Sequence, residues 1–180
     1  RPRSWILDNE LAATLARVAD FIHKTKAMVR GEEVSYGEIP APVKFPWAVG
    51  HDMPSWIAAY GPLALKTAGE HAEGVVLQIA DPGLCKWFTD QCIDAGKAAG
   101  KDMSGFRSMA AAPAYFGDKK RAIEKVKWFP AMVGNHVADI VEKYGADSDK
   151  VPASLTSYIE KRRGYDYSKH GQADNPYLDF

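Results

Sequence analysis

Apolar runs in the middle of the chain are punctuated by glycine and proline in a rhythm of strand, turn, helix and strand. The run Trp56-Ile57-Ala58-Ala59-Tyr60 has the length of a strand buried on both faces, and Gly61-Pro62 stops it. Pro62 suits the first helical position, because its fixed φ matches a helix start and the N–H it lacks would be unpaired there. After Gly74 the chain re-enters an apolar strand at Val75-Val76-Leu77, which completes one βαβ unit. The pattern predicts that the amides of Leu63, Ala64 and Leu65 point out of the helix N-terminus, where the macrodipole favours negative charge. A phosphate would fit there without a cationic side chain. Every βαβ unit has such a helix end, so the same pattern also describes plain α/β scaffolding.

The flanking segments read in the same way. Leu11, Leu15, Val18, Ile22 and Val29 fall at helical spacing, opposite Arg17, Asp20 and Lys24, and Gly31 closes the run. This predicts an amphipathic helix covering a sheet. Residues 32–53 are rich in glycine, proline and aromatics (Tyr36, Phe45, Pro46, Trp47), which predicts an ordered loop on the rim of a pocket. Asp81-Pro82 opens a helix whose core face is Leu84, Trp87, Phe88 and Ile93, with Gly96 and Gly100 at its end. Residues 106–116 read as a strand of small side chains. Ala110, Ala111, Ala112 and Ala114 would let the backbone approach either a neighbouring helix or a flat ring system. Ala122, Val126 and Phe129, then Val133, Val137, Ile140 and Tyr144, keep a helical period that Pro130 should kink or split. A helix over 153–163 ends at Gly164. The tail 165–180 has no period, and is either a disordered end or an excursion ordered over a site.

Composition removes function classes rather than adding one. Lys+Arg and Asp+Glu are equal at 23 each, which leaves no field to gather nucleic acid or an acidic membrane surface. Apolar residues make up 46% of the chain, enough for a core, and no uncharged apolar run reaches the length of a membrane span. Residues 1–7 do not form a signal peptide, so the expectation is a soluble, cytoplasmic protein. Cys85 and Cys92 lie in one predicted helix about 10 Å apart along its axis. That is too far for a disulfide, so reduced thiols are expected.

Local catalytic signatures are also missing. The sequence contains no GxGxxG, no GxxxxGK[ST] and no GxSxG. The histidines are His23, His51, His71, His136 and His170, with no HExxH and no Cys/His cluster. A zinc site would therefore rest on proximity in space alone, and no metal is expected. His136, beside Val133 and Val137, reads as a semi-buried helical residue more readily than as a pocket group.

Several strings taken in order are more specific than any one of them. They are Ala58-Ala59-Tyr60-Gly61-Pro62, Ala68-Gly69-Glu70, Gly74-Val75-Val76-Leu77-Gln78, residues 128–133 (WFPAMV), Gly164-Tyr165-Asp166-Tyr167 and Asn175-Pro176-Tyr177. Through them the stretch from about Leu15 to Phe180 resembles the luciferase-like monooxygenase superfamily. The likeness is strongest to its coenzyme F420-dependent oxidoreductase branch, which includes the methylenetetrahydromethanopterin reductases. The resemblance implies an α/β fold, an eight-stranded β/α barrel with the cofactor at the C-terminal ends of the strands. Such a barrel takes about 250 residues, so a chain of 180 is expected to be a central to C-terminal part of one. It would lack the first strands and the last βα unit, forming a single domain over 1–180 with 146–180 as a cap segment.

The same resemblance implies hydride transfer between the deazaflavin and a small organic substrate, and a homodimer at full length. It assigns the cofactor phosphate contact to Gly61, Pro62, Leu63, Ala64 and Leu65, with Tyr60 and Gln78 lining the same mouth. Close relatives carry Lys or Arg where this chain has Leu63, and Lys66 stands one turn on as a substitute cation. The general acid or base would lie on the missing strands, so no catalytic residue is assigned. An FMN-dependent monooxygenase of the same barrel is the alternative, since both cofactors bring a phosphate to this turn. A further alternative is an inactive fragment acting as a binding or assembly module through exposed sheet edges.

Overall fold

The computed structural model describes residues 13–37, 41–48, 50–130 and 132–134. Its elements are α1 (Leu15–Val29), β1 (Trp56–Ala58), α2 (Pro62–His71), β2 (Gly74–Leu77), α3 (Pro82–Ala98), β3 (Arg107–Ala110) and α4 (Lys119–Val126). This is a mixed α/β chain around a three-stranded sheet of order β1-β2-β3. β1 and β2 pair in parallel with Trp56 opposite Gly74 and Ala58 opposite Val76. The Arg107 N–H donates to the Glu73 carbonyl at 3.1 Å and the Ala111 N–H to that of Leu77 at 2.8 Å. Both partners advance together along the chain, so β3 also runs parallel.

The helix boundaries follow local chemistry. Thr14 caps α1 by accepting from the Arg17 N–H at 3.2 Å. At the other end Gly31, with φ 79°, donates to Met28 at 3.0 Å while Glu32 donates to Ala27 at 2.9 Å. That pair of bonds is a Schellman ending, and the left-handed position within it is why glycine stands at 31. Asp81 opens α3, accepting from the Leu84 N–H through its carboxylate at 2.8 Å. Asp118 does the same for Arg121 at the head of α4, at 3.0 Å. α4 ends at Val126, and the backbone is helical again from 128. The break falls where the Pro130 ring would strike the carbonyl four residues earlier.

The chain divides into two compact units, Arg1–Val76 with Trp87–Met109, and Leu77–Lys86 with Ala110–Phe180. In the first, Leu65, Ala68, Val75, Phe88 and Cys92 are at most 1% exposed. Burying residues such as Leu65 and Phe88 contributes about 1.5–3 kcal/mol each. α2 and α3 approach very closely at Gly69, where a Cβ would lie 2.1 Å from the Cys92 carbonyl oxygen. At Gly96 a Cβ would meet the end of the Met103 side chain and lie 2.9 Å from the Gly69 carbonyl oxygen. In the second unit the buried side chains are Leu77, Ile79, Leu84, Phe129 and Val133.

Glu73 ties together the residues just before β2. Its carboxylate accepts from Lys26 Nζ at 2.6 Å, from the Ser55 N–H at 2.8 Å and from Ser55 Oγ at 3.0 Å. Its own N–H donates to the Ser55 carbonyl at 2.9 Å. Lys101 closes the C-terminal end of α2 by donating to the carbonyls of Ala72 and Gly69, as a cation at that end of the dipole should.

Several expectations change. The strand expected over Trp56–Tyr60 covers only Trp56–Ala58 and is not buried on both faces: Trp56 is 41% exposed and Ala58 is exposed. The cause is position, since β1 is the first strand of the described sheet and its indole lies over Gly74. The strand expected over 106–116 shortens to Arg107–Ala110, exposed throughout. The core face of α3 is Leu84, Phe88, Cys92 and Gly96, one per turn, with Trp87 and Ile93 half-buried beside it. Within the described residues α1 packs along α2. The loop over 32–53 carries one antiparallel bridge, Val34 with Val43. Leu11, Val137, Ile140, Tyr144, the helix over 153–163 and the tail 165–180 lie outside the described residues.

Candidate functional site

β1 delivers the chain to Ala59, which is buried, and to Tyr60, half-buried with its ring edge-on to Phe88 at 5.9 Å between centroids. Gly61 is the N-cap of α2 at φ −73° and ψ 150°, with no side-chain cap, and Pro62 follows as the first helical residue. The Leu65 N–H donates to the Gly61 carbonyl at 2.9 Å. This corrects the expectation of three outward amides. Leu65 closes the first helical turn and its side chain is 1% exposed, so of those three residues Leu63 and Ala64 keep N–H groups at the open end of the helix.

The surroundings of those two amides are uncluttered. A Cβ built on Gly61 meets nothing within 4 Å. Pro62 is exposed, Leu63 is 56% exposed and Ala64 half-buried. Two first-turn amides and the positive end of a helix ten residues long are chemistry for an anion. Leu63 adds apolar surface beside them rather than charge. Lys66 does not replace that charge, because its Nζ is paired with Glu70 Oε1 one turn further from the helix start. Gln78 is exposed, follows the last residue of β2 and belongs to the second unit. Tyr60 through Leu65 therefore come together by chain continuity within the first unit.

An open groove of about 510 Å³ runs between α2 and α3. It takes one flank of α2 (Pro62, Lys66, Glu70) and faces Gln91, Asp94 and Ala95 of α3. Both signs of charge line it, so it shows no preference for an anion.

Sequence reading missed two groupings. One is the Glu73 network. Partial burial works to raise the Glu73 carboxyl, but the hydrogen bonds from Lys26 and Ser55 outweigh it and hold the group below the ordinary glutamate value. The other joins α1 to α2: His23 Nε2 and His71 Nδ1 lie 3.0 Å apart, their rings edge-on with centroids 5.0 Å apart. Partners separated by 48 residues leave no local signal. Among the described residues no group of three or more His, Cys, Asp or Glu gathers in one place. The Cys92 thiol is pushed by burial up to about 12 and the Cys85 thiol is also raised, chiefly by burial, so neither is an activated nucleophile. No described helix is long and apolar enough to cross a membrane.

Comparison with known proteins gives two findings. A family profile described as luciferase-like monooxygenase matches residues 7–180. A curated relative, the 5,10-methylenetetrahydromethanopterin reductase of Methanopyrus kandleri, is 33% identical over 104 residues. That alignment covers 56% of this chain and 30% of the reductase.

Proposed function

Because the chain belongs to the luciferase-like monooxygenase family, we propose that it is part of an oxidoreductase of the coenzyme F420-dependent branch, built as a portion of a β/α barrel. Three things support this reading: the family, the similarity to a reductase, and a parallel sheet with the turn that such a cofactor needs. The observation that carries the site assignment is the start of α2. There an extended N-cap glycine with open space around it and no side-chain cap precedes Leu63 and Ala64, whose N–H groups fall in the helix's first turn and have no intrahelical acceptor.

In this reading Leu63 and Ala64 donate to the phosphate of the cofactor, and the dipole of α2 adds to the attraction. Gly61 keeps a side chain out of the phosphate's place. Pro62 removes a competing N–H and fixes the entry angle of the helix. Tyr60, braced by Phe88, holds the strand end beside the turn. The bound deazaflavin supplies the carbon that takes or gives the hydride, while the protein positions it and excludes water.

The test is a fluorescence titration of this chain with coenzyme F420 and with FMN, side by side. Saturable binding that prefers the deazaflavin is expected, and preference for FMN would move the chain to the flavin-dependent members of the family. Gly61→Asp supplies the site-specific arm. An aspartate at the N-cap accepts from the same two amides a phosphate would use, so cofactor affinity should fall at least tenfold. The helix meanwhile gains a few tenths of a kcal/mol, and the circular dichroism should be unchanged. Undiminished binding by the variant would remove the turn from the site.

A further inference from the structure

We propose that His23 and His71 form a two-histidine site for a divalent transition metal ion of the copper, nickel and zinc class, bridging α1 and α2. The site is independent of the cofactor reading.

The geometry starts with the 3.0 Å separation of His23 Nε2 and His71 Nδ1. Two metal–nitrogen bonds of about 2.1 Å meeting at a right angle put the nitrogens about 3.0 Å apart, and a tetrahedral angle puts them about 3.4 Å apart. The observed separation is thus already that of two ligands in adjacent positions on one ion. Each ring needs only to turn until both lone pairs meet the metal. In the absence of metal, one imidazole donates to the other across the same gap. Metal entry needs no net loss of a proton: the ring that donates across the gap moves its hydrogen to its outer nitrogen, so that with metal bound His23 carries its hydrogen on Nδ1 and His71 on Nε2 and the two facing nitrogens are free.

The surroundings suit that arrangement. Glu70 Oε2 lies 3.9 Å from His71 Nε2, the nitrogen pointing away from His23. Glu70 Oε1 is anchored by Lys66. A carboxylate on the side of the outer nitrogen is where a ligating histidine takes its supporting partner, and a small turn of the ring would bring Nε2 within hydrogen-bond reach of it. His23 is exposed and the His71 side chain 31% exposed, so an ion can enter without unfolding. No third His, Cys, Asp or Glu converges on the pair among the described residues, so water completes the shell. Imidazole donors favour copper, nickel and zinc over magnesium, calcium or manganese.

The experiment is calorimetric titration of the full chain with copper(II), nickel(II), zinc(II) and magnesium(II) salts. Saturable one-to-one binding is expected for the first three, tightest for copper, with none for magnesium. His23→Gln and His71→Gln should each weaken binding at least tenfold, whereas His51→Gln should leave it unchanged. Metal at saturation should also raise the melting temperature of the wild type and of His51→Gln only. Absence of saturable binding, or binding kept by the His23 and His71 variants, overturns the site. Should either variant fail to fold, electron paramagnetic resonance of the copper-loaded wild type decides: two imidazole nitrogens support the site, and one or none refutes it.

Discussion

At the scale of single residues, Glu73 and Gly69 hold positions that no neighbour in sequence can fill. Glu73 has its folded carboxyl value lowered because Lys26 and Ser55 bind the charged form more strongly than burial disfavours it. A lowered value means the contribution to stability is present above the ordinary glutamate value of 4.5 and is lost as pH falls through the folded value. Glu73→Gln should therefore melt below the wild type at neutral pH, and the gap should close on acidification below that range. Thermal melts at stepped pH read this directly, and a gap that stays constant from neutral pH to the most acidic pH at which both proteins still fold would mean the carboxylate's charge is not what matters. Gly69 is set by space rather than charge. In Gly69→Ala the new methyl would meet the backbone carbonyl of Cys92 at 2.1 Å, and a backbone atom cannot step aside as a flexible side chain would. Overpacking of this kind costs about 1–3 kcal/mol, against about 1 kcal/mol gained in helix propensity. The net cost of up to about 2 kcal/mol should lower the melting temperature by up to about 8 °C, and a rise would show that the two helices separate freely.

At the scale of elements, α2 joins the fold to the proposed function. Its inward face (Leu65, Ala68, Gly69) and the C-cap residue Ala72 are buried and lock the helix in place, which in turn fixes the position of its first amides. Much of this was legible in the sequence, because Gly61-Pro62 and Gly31 act through their own backbone preferences. Asp81 and Asp118 act as caps through side chains within reach of the next turn. The first helical bond is not legible to the residue, because the pattern marks where the helix starts but not which amide closes the first turn; that amide is Leu65. Leu63→Arg tests what the turn lacks. An arginine there would add a charge-assisted bond to a bound phosphate, nominally about 1.5–3 kcal/mol, reduced by the exposure of the position. Affinity for coenzyme F420 should improve about tenfold, with strong salt dependence, as read by the same fluorescence titration. An unchanged affinity would place the phosphate elsewhere.

At the scale of the whole molecule, the features that the sequence concealed depend on partners far along the chain. Trp56 to Tyr60 looked like a fully buried strand because its composition is apolar. Its real exposure depends on which strand lies beside it, and that is a property of topology. His23 and His71, or Lys26 and Glu73, meet only because α1 lies along α2. The cofactor reading makes a claim at this scale too. A ligand that binds only the folded chain stabilises all of it through mass action, by about 2.7 kcal/mol at one hundred times its dissociation constant. For a chain of this size that corresponds to a rise of about 5–10 °C in melting temperature. The rise should grow with the logarithm of coenzyme F420 concentration and, at the same concentration, fall to about half or less in Gly61→Asp, whose unliganded melt should match or slightly exceed the wild type. A rise that is undiminished in Gly61→Asp would show a folded chain binding the deazaflavin away from the start of α2.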